Sequence, residues 1–400
     1  MYSSVFNKCL MKINSLHFRN FKVLHDVEIK PGNVNVIIGA NGSGKSTVLE
    51  AIGLLSLAMT DRINDSTLKS KGVRMSVPSA YKSSFEEYKK SPTIGMEIEW
   101  EEKCNFRYSV DLNTPSDGHE WRYHSERLDI DDARVWGRSG RSEKYYDPSV
   151  GMLMLENNEK LFEARPSIEW MKNYAVYQPS TPVLRSVLQE SEPVIPVGLN
   201  GGRLAEAIQE ILHEEDEELF FGNVPLEEIL DLIDWADGLT VSYPNKKNTN
   251  PFVSTARRVI EFHDSFMKQK DKFTGYDASE GALYVLFLAC LALHPKAPRI
   301  FAVDNFDQAL NPRLTRAVTR KFCKMILDNG KTVFLTTHNP LTLDGLDLLD
   351  SRIRLFTIDR SSKTGEALLK RVEIKKDLVD KDMPLSRLWT SGMIGGVPNL

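Results

Sequence analysis

Apolar and polar residues alternate from Lys12 to Phe18 and again from Val23 to Ile29, a period of two that predicts paired strands turning at Asn20. Asn33 to Ile38 is a β-branched run ending at a glycine, and helical spacing follows from Lys45 to about Ala58. Strand, glycine loop and helix therefore stand in the order that a phosphate site requires. Asp61 to Ser91 is polar and lysine-bearing and reads as a surface excursion. Gly95 to Trp100, Asn105 to Leu112 and Trp121 to Leu128 read as an antiparallel meander, with a long loop from Ala133 to Pro148.

Tyr174 to Tyr177 is a short apolar strand that runs into Pro179, Pro182 and the Gly201-Gly202 pair, marking a boundary between two lobes. Helices are expected over Leu204–His213, Leu226–Ala236 and Thr255–Met267, with the acidic run Glu214 to Glu218 as a solvated helix end. From Ser279 the pattern alternates: helix to Leu293, strand Arg299–Val303, helix Pro312–Leu327, then strands Thr332–Leu335, Ile353–Ile358 and Leu368–Val372. Helices alternating with apolar strands predict an α/β protein whose parallel sheet is covered on both faces. The expected division is 1–180 for a first lobe with the meander, 181–375 for a helical lobe, and 376–400 for a tail without strong pattern.

Bulk numbers bound this picture. A chain of 400 residues exceeds one ordinary core, and 41% hydrophobic with 26% charged residues is the balance of a folded protein. The formal charge of -4 means that any nucleic-acid contact needs a local basic patch or a partner. One candidate is Arg134, Trp136, Arg138, Arg141, Lys144 and Tyr145, which otherwise is a solvated loop; Lys69, Lys71 and Arg74 form a second. The four cysteines are scattered, without zinc-site spacing, and read as reduced thiols. Met1 to Leu16 lacks an apolar signal core, and Ala282 to Leu293 is far short of the roughly 20 residues that span a bilayer. A cytoplasmic, unanchored protein without membrane partners is expected.

Candidate chemistry begins at Gly39-Ala40-Asn41-Gly42-Ser43-Gly44-Lys45-Ser46-Thr47. Its glycines let backbone N–H groups turn toward phosphate oxygens, Lys45 can reach the β and γ phosphates of ATP, and Ser46 can bind Mg²⁺. The apolar strand Ile300 to Asp304 ends in a carboxylate placed to sit beside that Mg²⁺. A third segment, Ala278-Ser279-Glu280-Gly281, puts a natural N-cap before a buried helix. A strand ending in Thr336-Thr337-His338 completes the series.

P-loop, serine-glycine helix start, strand-Asp and strand-His, in that order, resemble the ATP-binding-cassette ATPases, closest to the head domains of the SMC, RecF and OLD-like group. The resemblance implies a two-lobed ABC-ATPase head with a P-loop core sheet, an antiparallel β subdomain and a helical lobe. It implies a homo-oligomer in which two heads sandwich nucleotide, with Ser279 and Gly281 touching the γ-phosphate held by the other copy. His338 matches the switch histidine, and Gln178 is either the Q-loop glutamine or a surface residue beside a proline. Arg19 and Phe21 occupy the place where such heads contact ribose and base. Well-hydrolysing members carry Glu after the strand-ending Asp; here Asn305 stands there, and Asp307 is the remaining candidate base. Loss of a positioned base lowers the rate by roughly 10²–10⁴.

Pro179 to Arg185, Pro196 to Ala205 and Asp304 to Pro312 narrow the resemblance to the PtuA ATPase subunits of Septu-type antiphage systems, including retron-attached ones. That implies a PtuB-like HNH-nuclease partner, DNA contact, and in the retron case a reverse transcriptase with its nucleic acid. The chain itself shows neither a TOPRIM array nor an HNH cluster, so cutting falls to a partner. The reading is an ATP-binding, slowly hydrolysing regulatory subunit; the alternative is a RecF/SMC-like DNA-repair ATPase. A transporter cassette fits poorly, because the distance from P-loop to Ser279 is long and contains the meander.

Overall fold

The computed structural model describes residues 11–114, 121–139, 147–154, 164–191, 194–250, 257–267, 272–373 and 383–396. Within them, strand β3 (Val34–Ile38) sets the layering by its alternation. Val34, Val36 and Ile38 enter one core while Ile37 enters a second on the opposite face. It lies at the centre of a six-stranded sheet ordered β18-β17-β3-β16-β15-β8. The partners are β8 (Val176–Tyr177), β15 (Ile300–Val303), β16 (Thr332–Thr336), β17 (Ile353–Arg360) and β18 (Ala367–Val372). All pairings are parallel except that of β18, which closes one edge antiparallel to β17. Strands from both sides of position 180 thus build one sheet.

Helix α1 (Lys45–Thr60) buries every residue except Ser46, as expected of a helix apolar on all sides. One flank packs on the parallel sheet, and the other on a six-stranded antiparallel sheet. That second sheet has the order β2-β1-β4-β5-β6-β7, with β1 (Lys12–Phe21), β2 (Leu24–Ile29), β4 (Thr93–Glu101), β5 (Asn105–Asn113), β6 (Arg122–Ile130) and β7 (Ala133–Ser139). Short helices α2 (Asp65–Ser70) and α3 (Arg165–Lys172) lie beside α1. The opposite face of the parallel sheet is covered by α7 (Glu280–Leu293), buried from Ala282 onward, and by α8 (Pro312–Asp328).

Several expectations change. Ala133 to Ser139 is a strand, and the loop basic patch is largely structural. Trp136 is buried, and Arg138, directly opposite Glu126 across the β6–β7 ladder, forms a buried ion pair with it at 2.8 Å. Arg141, Lys144 and Tyr145 lie outside the described residues. In the second patch Lys71 is buried, donating to the Lys172 carbonyl, and Arg74 is paired with Glu50.

The region between α4 (Thr181–Leu184) and α7 is more strand-rich than expected. Helices α5 (Leu204–Ile211) and α6 (Leu226–Leu230) are accompanied by two three-stranded sheets. The first comprises β9 (Leu212–Glu215), β10 (Glu218–Phe221) and β11 (Val224–Pro225); the second β12 (Ala236–Ser242), β13 (Val259–Asp264) and β14 (Lys272–Thr274). The run Glu214 to Glu218 is a hairpin turn, with Asp216 and Glu217 at φ 50° and 65°, not a helix end. Thr255 to Met267 contains β13 rather than a helix.

After α9 (Pro340–Leu343) and strands β17 and β18, α10 (Leu385–Thr390) brings the tail back onto the body. Leu388 and Trp389 are buried, Ser386 Oγ donates to Asp344 Oδ2 at 2.8 Å, and Trp389 Nε1 donates to the Gly396 carbonyl at 3.2 Å. Gly396 lies beside the end of β3, where an added Cβ would sit 3.4 Å from the Ile38 oxygen. No helix among the described residues is long and apolar enough to cross a membrane.

Candidate functional site

The loop between β3 and α1 turns through Gly42 at φ 75° and Gly44 at φ 115°, conformations that side chains with a Cβ rarely adopt. At Gly39 a Cβ would lie 2.3 Å from the Ile358 carbonyl, so the chain there must be glycine for β17 to pass. Lys45 Nζ donates to the carbonyls of Gly39 at 2.7 Å and Ala40 at 3.0 Å. Burial pushes its pKa down to about 8 against the pull of the Asp304 carboxylate. The Ser43 hydroxyl is buried within this loop without a partner among the described residues, an orphan donor of the kind a phosphate oxygen satisfies.

Strand β15 delivers Asp304 to the same place. Asp304 Oδ1 accepts from Ser46 Oγ at 3.2 Å and from Thr336 Oγ1 at the end of β16. The Thr336 oxygen in turn accepts from the Asn305 backbone N–H at 2.9 Å. One threonine therefore fixes both the carboxylate and the residue after it. Asn305 stands at φ 55°, the left-handed region that asparagine tolerates better than most residues. The described residues contain no cluster of three or more metal-binding side chains. One carboxylate with one hydroxyl fits Mg²⁺, which usually takes few protein ligands and shares its sphere with water and substrate phosphates. Ser46 and Asp304 are the residues that would hold it, where it would neutralise charge on the phosphates.

Asp307 is buried, and its Oδ2 accepts from Thr337 Oγ1 at 2.8 Å and Thr342 Oγ1 at 2.9 Å. These bonds tie the segment after β15 to the start of α9. His338 follows on the exposed side of this junction. Its imidazole is held below its ordinary pKa by partial burial and the Lys45 cation, while Asp307 and Asp304 pull the other way, so it is neutral at pH 7.

A cleft of about 240 Å³ gathers Ser46, Asp304 and Gln178 with three residues that the sequence did not single out for this site: Glu50, Arg74 and Asn200. Gln178 is exposed, and its backbone is fixed on both sides: its N–H donates to the Leu199 carbonyl at 2.9 Å, and its carbonyl accepts from Asn200 Nδ2 at 2.7 Å. Glu50 is 2% exposed and bonds both Arg74 Nε and Lys22 Nζ. The bond from Glu50 holds the Arg74 guanidinium above its ordinary pKa. A signal was present: Glu50 is the only acid in the buried helix that follows the glycine loop.

One expected contact does not assemble here. Phe21 is fully buried and stacked on Tyr81 with ring centroids 6.0 Å apart, so it offers no face to a base. Arg19 lies on β1 and pairs with Asp111 at 3.8 Å. Ser279 lines a separate cleft of about 280 Å³ together with Gly281 and Asn311, and the two clefts share no lining residue. Ser279 is exposed and caps α7, accepting from the Ala282 N–H at 3.3 Å. The next residue, Glu280, accepts from Thr181 Oγ1, linking the helix start to α4.

Comparison with known proteins places this geometry. The SMC head bound to the C-terminal winged-helix domain of ScpA superposes with a TM-score of 0.51 at 14% identity, covering 92% of this chain and 99% of that one. The Pyrococcus furiosus SMC head with an extended coiled coil, bound to the C-terminal domain of ScpA, gives 0.51 at 13% identity over 93% and 99%. At such identity the likeness shows the fold, an ABC-ATPase head. The DNA replication and repair protein RecF of Marinobacter nauticus is 47% identical over 55 residues, 14% of each chain. That of Pseudoalteromonas atlantica is 47% identical over 53 residues, 13% of this chain and 15% of its own. The matched segment thus spans only about a seventh of these relatives. Residues 34–344, well over half of the chain, match the family described as "AAA domain, putative AbiEii toxin, Type IV TA system". The chain belongs to this AAA-domain family, and its fold is that of the SMC heads on which it superposes.

Proposed function

We propose that this chain is the ATP-binding regulatory subunit of an antiphage complex of Septu type, acting as a nucleotide switch on a partner HNH nuclease that cuts DNA. The single observation that carries the switch reading is at position 305. The residue after Asp304 is an amide, and the nearby carboxylate of Asp307 has an oxygen engaged by two threonine hydroxyls. An amide can orient a water but cannot accept its proton, so bound ATP persists. Ligand binding alone then shifts the population of states. The family description, a toxin of a toxin–antitoxin system, supports a defence role.

The division into 1–180, 181–375 and 376–400 serves as a functional one: nucleotide cradle, Ser279-bearing lobe, and tail. Separation of the Ser279 cleft from the Ser46–Asp304 cleft supports pairing of two copies, each completing the other's site. In a retron-attached system the reverse transcriptase and its nucleic acid would be further partners. The RecF-like segment favours a second reading, a DNA-repair ATPase that turns ATP over. Co-purification with the product of the adjacent gene, with and without ATP, separates the two. Recovery of an HNH nuclease whose activity responds alike to ATP and a non-hydrolysable analogue supports the switch. Recovery without a nuclease, or a response to ATP alone, supports the repair motor.

A further inference from the structure

A groove of about 820 Å³ lies away from the nucleotide cradle, between α4 and the β12–β14 sheet. Five cations line it, Arg185, Lys246, Lys247, Arg258 and Lys272, against one carboxylate, Asp277. That carboxylate already accepts from Thr274 Oγ1 at 3.0 Å, and Lys272 lies 3.9 Å from Glu261 outside the groove. In a chain of net charge -4, such a concentration of positive charge is a local feature with a local purpose.

Two details point to the ligand. Arg185 Nη2 donates to the Ala278 carbonyl at 3.1 Å, but its Nε is buried without a partner among the described residues, a charged donor left short of an acceptor. Arg258 lies over the Tyr243 ring at 3.7 Å, and the Tyr243 and Tyr276 rings are exposed. Cations that can hold phosphates, beside exposed rings on which bases can stack, are what an unpaired strand requires. The volume far exceeds that of one phosphate group.

We propose that this groove binds single-stranded nucleic acid through its phosphodiester backbone, on the chain itself and apart from the nucleotide site. It rests on the reading of a DNA-acting complex only in the choice of nucleic acid as the polyanion. The groove also abuts the Ser279 helix start. The wall from Lys272 to Asp277 continues through Ala278, held by Arg185 and by the Thr274 carbonyl at 2.9 Å, directly into Ser279.

The test is fluorescence anisotropy of a labelled single-stranded DNA of about 20 nucleotides with the full chain, without partner. Lys246→Glu/Lys247→Glu is expected to weaken binding at least tenfold and flatten the salt dependence by about 1.4 in log–log slope, the loss of two strand phosphates. Arg185→Gln should weaken it severalfold. Unchanged ATP affinity in these variants shows that they are folded, and Lys45→Ala should keep its strand affinity. The proposal is overturned if the variants bind like wild type, if inorganic tripolyphosphate displaces the strand at equal phosphate concentration, or if duplex DNA binds as tightly. Absence of strand binding by the wild type also overturns it, while leaving the ATP switch to its own co-purification test.

Discussion

The hydroxyl of Ser46 donates to Oδ1 of Asp304 at 3.2 Å, joining the start of α1 to the end of β15, 258 residues later. This bond places the candidate metal ligands beside Lys45, whose ammonium is held by the Gly39 and Ala40 carbonyls. Phosphate oxygens would compete with those carbonyls as charged acceptors. Lys45→Ala is therefore expected to weaken ATP binding by about 3 kcal/mol or more, over a hundredfold. Calorimetry giving wild-type affinity would remove the phosphate-site assignment.

Ser279 is exposed in a cleft separate from the Ser46 cleft, so its proposed nucleotide contact requires a second copy. Ser279→Arg should leave folding intact, because only one capping bond of about 1 kcal/mol is lost. It should block ATP-dependent pairing by bulk and charge. Mass photometry with and without ATP reads this, and identical profiles for variant and wild type would rule out the contact in trans.

Arg138 behaves as a structural residue. Removing one member of a buried pair strands the other charge, at about 3–5 kcal/mol. Arg138→Ala should therefore lower the unfolding free energy by that order in denaturant titration, since Glu126 is fully buried beside it. At a temperature where the variant remains folded, its nucleic-acid affinity should match wild type.

What the sequence disclosed follows from where the signal was local. Val34, Val36 and Ile38 alternate on their own strand, and Gly39 to Thr47 is contiguous, so strand, loop and helix were legible without tertiary information. The role of Arg138 was not, because its partner Glu126 sits on the neighbouring strand and only the hairpin register brings them together. The run of five acids from Glu214 looked like a helix end; its meaning depends on Asp216 and Glu217 taking left-handed turn conformations. In β13, Ile260 and Phe262 do alternate inward, but six residues permit helical and extended readings alike, and pairing with β12 decides. The groove cations come from α4, the β12–β13 connection and β14, segments that only the fold assembles.

Lys331 gives a pH prediction. It is 6% exposed, its Nζ donates to the Leu291 carbonyl at 2.8 Å, and burial pushes its pKa down to about 7 from an ordinary 10.5. Between these values the unfolded chain binds one more proton than the folded one, so stability contributed here rises with pH across that window and is lowest below pH 7. The stability of wild type minus that of Lys331→Met should therefore climb from pH 7 toward pH 10, with a limiting slope of about 1.4 kcal/mol per pH unit. A difference that stays flat in urea titrations at pH 6.5, 8 and 9.5 would show that the ammonium remains charged when buried.

Position 305 decides between motor and switch. Asp304 and Thr336 fix the backbone so that Asn305 projects from a left-handed residue at φ 55°, and the side chain there determines what a water at the γ-phosphate can do. An amide orients but does not take the proton, so steady-state ATP hydrolysis by wild type should be slow or undetectable in a phosphate-release assay. Asn305→Glu supplies a carboxylate where well-hydrolysing relatives of this group carry one. The left-handed backbone disfavours Glu by about 1 kcal/mol, a cost that the surrounding hydrogen bonds can absorb. Turnover should therefore rise by roughly 10²–10⁴ if the backbone holds its position. Asp307→Ala in the Asn305→Glu background is the control, since Asp307 Oδ2 bonds Thr337 and Thr342: it should lower stability without abolishing the faster turnover. Rapid hydrolysis by wild type that disappears in Asp307→Ala, with ATP affinity retained, would instead make Asp307 the working base and the protein a motor.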